Sequence, residues 1–227
     1  MQTFVVRVWV PDRPGALGQV ASRIGAVRGD VVGIDILERG AGRAIDELVV
    51  ELPDASLVSL LLAEIGQVDG VDVEDVRPAP AELIDPRLDA LETAAVLVGA
   101  SSFDGLLSAL VARAGRDFGA EWAVVVDLDE RVLLTSHGAP PPPGWLVAFV
   151  AGSQSSAAVA SGECGPDDVA WAALAGSSLA LLLGRQGRPF RARERHQLGA
   201  LAAIAQLVLV NLQQALDRPA PVATGAR

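Results

Sequence analysis

The alternation of apolar and polar positions divides the first 78 residues into six elements. Phe4 to Val10 alternate and are rich in β-branched residues, which predicts a strand. Gly15 to Val27 places Leu17, Val20, Ala21 and Ile24 at helical spacing. Val31 to Glu38 predicts a second strand and Ile45 to Leu52 a third, joined as a hairpin across the glycine turn 39-RGAGR-43. Asp54 is placed to cap a helix running through Ile65, and Val71 to Val76 predicts a fourth strand. This order is that of the split βαβ, ferredoxin-like unit. Its hairpin leaves a sheet edge open, so pairing with a second copy is expected.

The pattern changes after that unit. The proline-rich stretch 78-PAPAELIDP-86 predicts an interdomain linker. Arg87 to Val98 and Asp104 to Arg116 predict helices, and 121-EWAVVVDLD-129 and 131-RVLLTS-136 predict strands around a turn at Asp129 and Glu130. The run 139-APPPPG-144 is expected to be a stiff loop, neither strand nor helix, before a short apolar segment from Trp145 to Ala151. Val169 to Leu174 and Ser178 to Gly184 predict further strands, and Arg191 to Leu216 one long amphipathic helix. The end, 217-DRPAPVATGAR-227, has the composition of a disordered tail. The division is thus 1–78, a linker and helix over 79–100, a second domain over 101–216, and the tail. The fold class is α+β.

Composition narrows the function. With 51% hydrophobic residues a sizeable core is affordable, and a formal net charge of −10 opposes binding to nucleic acid or to acidic membrane surfaces. All the basic residues are arginine. The most apolar window, 198-LGALAAIAQLVLVNL-212, is shorter than a bilayer span needs, roughly 20 residues, and reads as a buried or dimerising helix. A cytoplasmic protein that binds neither membrane nor nucleic acid is expected. A single cysteine, Cys164, excludes an intramolecular disulfide and a cysteine-rich zinc site. It stands among acids in 161-SGECGPDD-168, which suits an incidental thiol better than a nucleophile. His137 and His196 lack partners at metal-ligand spacing and read as surface residues. The basic cluster 185-RQGRPFRARERH-196 reads as the solvated start of a helix. Trp9, Trp122, Trp145 and Trp171 read as core, Trp145 with the alternative of a pocket wall. No catalytic triad, P-loop, dinucleotide fingerprint or metal motif appears, so no catalytic residues, metal or cofactor are assigned.

The stretch 11-PDRPGALGQVASRIG-25 is the candidate site. Two prolines end the strand, two glycines permit a tight turn and close approach, and the following helix begins with unpaired amides that suit a carboxylate. Asp12 is placed to cap the helix or to take an ammonium group. These residues carry a resemblance: residues 3–78 look like an ACT domain, on 12-DRPGALGQVASRI-24 and 30-DVVGIDI-36. The resemblance implies a regulatory module with an amino acid at a homodimer interface. The ligand would be held by Asp12, Arg13, Gly15, Ala16, Leu17 and Asp30, Asp12 and Asp30 through side chains and Ala16 and Leu17 through amides. Asparagine is common at both side-chain positions in amino-acid-binding members, so the two aspartates are a departure. Residues 101–216 resemble a GAF domain, on 115-GRDFGAEWAVVVDLD-129, the strand ending at Arg185, and 189-PFRARERHQLGALAAIAQ-206. That resemblance implies an antiparallel sheet with flanking helices, acting as a dimerisation or second sensor module through its terminal helices; the cyclic-nucleotide signature is missing. The expected function is a non-enzymatic regulator. The alternatives are a regulatory subunit docking on a biosynthetic enzyme, and an enzyme with an unrecognised site in the second half.

Overall fold

A computed structural model of the chain describes residues 1–79, 86–160 and 166–217. Most of the predicted linker, Cys164, and all of the predicted tail after Asp217 lie outside these residues. The chain divides into two compact units: residues 1–84 with 191–193, and residues 85–190 with 194–227.

The first unit follows the predicted order. Strand β1 (Gln2–Pro11) leads to helix α1 (Ala16–Ala26), the hairpin β2 (Asp30–Gly40) and β3 (Arg43–Leu52), helix α2 (Val58–Ile65) and strand β4 (Asp72–Pro78). All pairings are antiparallel and the sheet order is β2-β3-β1-β4. One face carries the core: Val6, Val8 and Val10 of β1 and Leu48, Val50 and Leu52 of β3 pack against Val20 and Ile24 of α1 and Leu61 and Ile65 of α2. The period-two spacing of these strand residues is what commits the register, because a one-residue slip would turn the whole apolar set outward. Asp54 accepts a bond from the Ser56 amide at 2.7 Å, as predicted, though it opens a short 3-10 turn (Ala55–Leu57) before α2. Strand β2 stands at the edge of the sheet, where Arg193 donates to Ile36 O at 3.4 Å and the Ala192 amide to Glu38 at 3.4 Å, and it exposes Val32 and Ile34.

The opposite face of this sheet carries charge. Arg7, which is buried, donates to Glu47 at 2.9 Å; Arg77 donates to Glu47 at 3.1 Å and to Asp75 at 2.9 Å. Burial pushes the Glu47 carboxyl up, but Arg77 and Arg7 together outweigh it and hold the group below its ordinary value of 4.5. A lowered carboxyl contributes stability that is complete above that ordinary value and is lost as pH falls through the lowered one. Glu47→Gln is therefore expected to cost about 2 kcal/mol at neutral pH. The variant should also flatten the acid limb of stability against pH. Urea unfolding at neutral and acid pH checks both.

The second unit begins with α3 (Pro86–Val98), α4 (Phe103–Asp117), β5 (Trp122–Asp127) and β6 (Val132–Gly138). It continues with α5 (Pro143–Gln154), the single-turn α6 (Ala157–Ala160), β7 (Val169–Ala173), β8 (Leu179–Gly184) and α7 (Ala192–Asp217). The antiparallel sheet runs β6-β5-β8-β7. Val124, Val126, Ala180 and Leu182 face Leu146 and Val150 of α5. Ala123, Val125, Leu181 and Leu183 face α4 and α7. Cover on both faces is why β5 and β8 read as unbroken apolar runs rather than alternating ones. Asp127 accepts from the amides of Asp129 and Glu130, which fixes the predicted β5–β6 turn.

Several expectations are corrected. Helix α3 is part of this unit and not a connector: Thr93 donates to Asp117 of α4 at 2.6 Å and Leu97 enters the core. The stiff loop stops early, because Pro143 and Gly144 open α5, where a first-turn proline needs no partner for the donor it lacks. Trp145 is 46% exposed and stacks on Phe149 instead of entering the core, and Trp9 is only half-buried, whereas Trp122 and Trp171, also half-buried, do pack against the core as predicted. The stretch 192–216 is, by length and apolarity alone, sufficient to cross a membrane, longer than the sequence window suggested. Its residues Leu198, Leu201, Ala202, Ala205, Val208 and Leu209 nevertheless form a stripe in this unit's core, as in an amphipathic core helix.

Candidate functional site

The turn between β1 and α1 is held by main-chain bonds. The Asp12 amide donates to Gly42 O at 2.9 Å, the Arg13 amide to Pro11 O at 2.8 Å, and the Ala16 amide to Arg13 O at 3.3 Å. Gly15 has φ 84 and stands at the N-cap of α1, where no side chain accepts a cap bond. Asp12 therefore does not cap the helix, against one of its two sequence readings. Glycine is required at position 15 by the left-handed backbone, which a side chain would strain.

The predicted donors split. The Ala16 amide is already used within the turn, and Ala16 itself is buried. Among the described residues, no hydrogen bond engages the amides of Leu17 and Gly18. They leave the N-terminus of an 11-residue helix with two free donors and the positive end of its dipole. Asp12, Arg13 and Gly15 are exposed and Leu17 is half-buried. Arg13 lines a shallow groove with Gln19, Ser22, Arg23, Gln67 and Asp69, on the side of α1 toward the α2–β4 turn.

Asp30 stands elsewhere. It pairs with Glu51, and Glu51 pairs with Thr3 at the start of β1, whereas Asp12 follows Pro11, the partner of Arg43. The length of β3 from Arg43 to Glu51 lies between them, about 26 Å at the usual strand rise. Asp12 and Asp30 of one chain do not meet.

Asp46 is a residue the sequence reading missed. It pairs with Val8 of β1 and Ile36 of β2 and shares the core face with Val8 and Leu48. It is 4% exposed, and its Oδ1 is buried with no hydrogen-bond partner. Burial pushes its carboxyl up; Arg39 opposes the shift and Asp12, near enough to act on it, adds to it. The signal was available. In 44-AIDELVVEL-52 the inward phase is Ala44, Asp46, Leu48, Val50 and Leu52, one acid in an apolar stripe.

In the second unit the cluster 185–196 is not solvated as predicted. Arg185, Glu194 and Arg195 are buried, and Arg185 donates to both carboxylate oxygens of Glu194, at 2.7 and 2.9 Å. Arg195 donates to Val169 O at 3.1 Å and Phe190 O at 3.2 Å. His137, within β6, and His196, within α7, are exposed. No group of three or more metal-ligating side chains occurs among the described residues.

A four-stranded antiparallel sheet of order β2-β3-β1-β4, with both helices on one face, defines the first unit as a ferredoxin-like module. Residues 4–70 match the family model of the ACT domain, and an ACT domain occupies this part of the chain. Such domains have regulatory, ligand-binding roles, bind small molecules that are often amino acids, and commonly dimerise. Among solved structures, the ACT domain of GTP pyrophosphokinase from Chlorobium tepidum is 17% identical, with 34% of this chain and 97% of that chain covered and a TM-score of 0.28. A formyltetrahydrofolate deformylase from Pseudomonas putida is 18% identical over 34% of this chain and 29% of that chain, with a TM-score of 0.29. A free methionine-R-sulfoxide reductase from Neisseria meningitidis, in complex with its substrate, is 17% identical over 60% of this chain and 95% of that chain, with a TM-score of 0.40. No curated protein matches the chain. Likeness at this level leaves function to the chain's own residues. The second unit has the predicted antiparallel sheet and flanking helices, an architecture too general to specify the GAF family.

Proposed function

We propose that the protein is a non-enzymatic regulator whose ACT domain binds an amino acid or a related small acid where two copies meet. The observation that carries this reading is the pair of unspent amides at Leu17 and Gly18, above a loop that glycine and proline keep open. The interface follows from the register. Asp12 and Asp30 stand at opposite ends of one sheet, and antiparallel pairing of two β2 edges about a twofold axis brings Asp30 to the end that holds the partner's Asp12. The exposed Val32 and Ile34 give that edge an apolar surface to bury.

In the same proposal the second unit, GAF-like, serves as a dimerisation or second sensor module. Helices α3 and α7 flank an apolar groove lined by Ala94, Val98, Ile204, Leu207 and Leu212, with Val98 and Leu207 well exposed. Signal passes when the ligand prefers one of two dimer arrangements.

Titration calorimetry of the full chain against each of the twenty proteinogenic amino acids tests the proposal, with sedimentation giving the oligomeric state. Binding to a dimer is expected. Gly18→Pro removes one of the free donors in the first helical turn, where proline is tolerated, and is expected to weaken binding by about tenfold. Gly18→Ala, whose added Cβ meets nothing within 4 Å, is expected to leave binding intact. A monomer, or a chain that binds none of the panel, ends the proposal.

A further inference from the structure

Arg191, Ala192 and Arg193 belong to the first unit, although the chain on both sides of them belongs to the second. Arg191 pairs with Glu74 of β4, and its guanidinium stands 5.1 Å from the Trp9 ring centroid on β1. The Ala192 amide donates to Glu38 of β2 at 3.4 Å; Arg193 pairs with Asp35 and donates to Ile36 O at 3.4 Å. Three consecutive residues thus touch β4, β1 and β2. The charged face of the sheet is shaped to receive them. Asp35, Glu47, Arg7 and Asp75 form one row across the four strands. Beside that row the register slips between Arg7 and Val8, which leaves Glu74 unpaired on β4, and a bulge of this kind re-aims its side chain. Glu74 Oε2 stands 4.0 Å from Arg7 Nε, and Oε1 takes Arg191. No apolar side chain anchors the segment. Ion pairs taken out of water gain little net free energy, and no hydrogen bond reaches the buried Glu74 Oε2. Such a grip specifies one geometry yet opens at small cost.

We infer that residues 191–193 are a latch, by which the ACT sheet holds the start of α7 and hands its own changes of shape to the second unit. The route is the chain itself. Phe190, just before the latch, lies in the core of the second unit, and Glu194, just after it, is held by Arg185. Three residues span at most about 11 Å even when fully extended, so they leave no slack to absorb a movement of their anchors. Closed, the latch fixes the first turn of α7. Opened, it frees the carbonyls of Ala192 and Arg193, to which an α-helix bonds the amides of His196 and Gln197. The latch bears on β2 from Asp35 to Glu38 and leaves Val32 and Ile34 exposed. It therefore goes beyond the proposed function and requires neither a second copy nor a ligand.

Amide hydrogen exchange, read residue by residue by NMR on the full chain, tests the latch, with the substitution in the first unit and the reading in the second. Glu74→Gln combined with Asp35→Asn is expected to speed exchange at His196 and Gln197 at least about tenfold, while Val125 of β5 and Leu181 of β8 change by less than about twofold. Arg193→Asp, at a side chain 45% exposed, is expected to speed the same two amides by itself. Adding Asp35→Arg should then restore slow exchange, because the pair is remade with its charges exchanged. The inference is overturned if His196 and Gln197 stay within about twofold of the unmodified chain in the combined variant, or if Asp35→Arg restores nothing. Faster exchange spread evenly through the second unit also overturns it, since that is a general loss of stability and not the release of one turn. If the combined variant does not fold, Arg193→Asp with and without Asp35→Arg decides alone.

Discussion

Arg185→Ala is expected to destabilise the second unit by about 3–5 kcal/mol, the range for breaking a buried pair from one side. Arg185 leaves the end of β8, and its guanidinium is 2% exposed. It donates to Phe118 O at 2.6 Å, to Arg188 O at 2.7 Å, to Pro189 O at 3.0 Å and to Glu194, and it lies 3.9 Å from the Phe190 ring centroid. One planar fork therefore ties the end of α4, the turn after β8 and the first turn of α7 together. Alanine removes every one of these bonds and leaves the Glu194 carboxylate buried without its cation. Lysine is not expected to rescue it, because a single ammonium cannot span the fork. Urea unfolding followed by tryptophan fluorescence measures the loss. Arg116→Ala is the control: its ion pair with Asp117 is partly exposed and is worth at most about 1 kcal/mol.

Gly138→Ala is expected to cost about 3 kcal/mol or more, from left-handed backbone strain added to overpacking. Gly138 ends β6 with φ 71 and pairs with Trp122. A Cβ there would stand 2.0 Å from Glu121 O and 3.0 Å from Trp122 Cα, both backbone atoms of the chain leading into β5. Backbone in a paired strand has nowhere to go, so the β6 edge must peel away from β5. Gly42→Ala separates the two causes. Its φ of 76 carries the same strain, but a Cβ meets nothing within 4 Å, so a loss of about 1–2 kcal/mol is expected. Equal losses at the two positions, read from the same urea curves, would show that the contact with Glu121 contributes nothing.

The first unit was legible because its signals are local. Alternation in β1 and β3, helical spacing in α1, and glycine or proline at each change of direction specify the elements without long-range information. Asp54 and the β5–β6 turn were legible for the same reason, since each bond spans only two or three residues. What failed depends on partners distant in sequence. Whether Arg185 is solvated or buried is decided by Phe118 and Glu194, so a charged run looks the same in either case. The Asp12 cap was misread because the φ of Gly15, not the nearest acid, sets where α1 begins. The separation of Asp12 from Asp30 is a property of sheet register, which spacing along the chain does not reveal. Asp46 could have been read, as the one acid in an inward stripe, but only with the phase of β3 fixed by its neighbours.

The bond from the Asp12 amide to Gly42 O fastens the entrance of α1 to the tip of the β2–β3 hairpin, two places far apart along the chain. The hairpin tip is thereby a support of the turn that leads into α1. A sequence change at Ala41 or Gly42, which a survey of contacting side chains would pass over, therefore acts on the backbone at the start of α1 through that one main-chain bond.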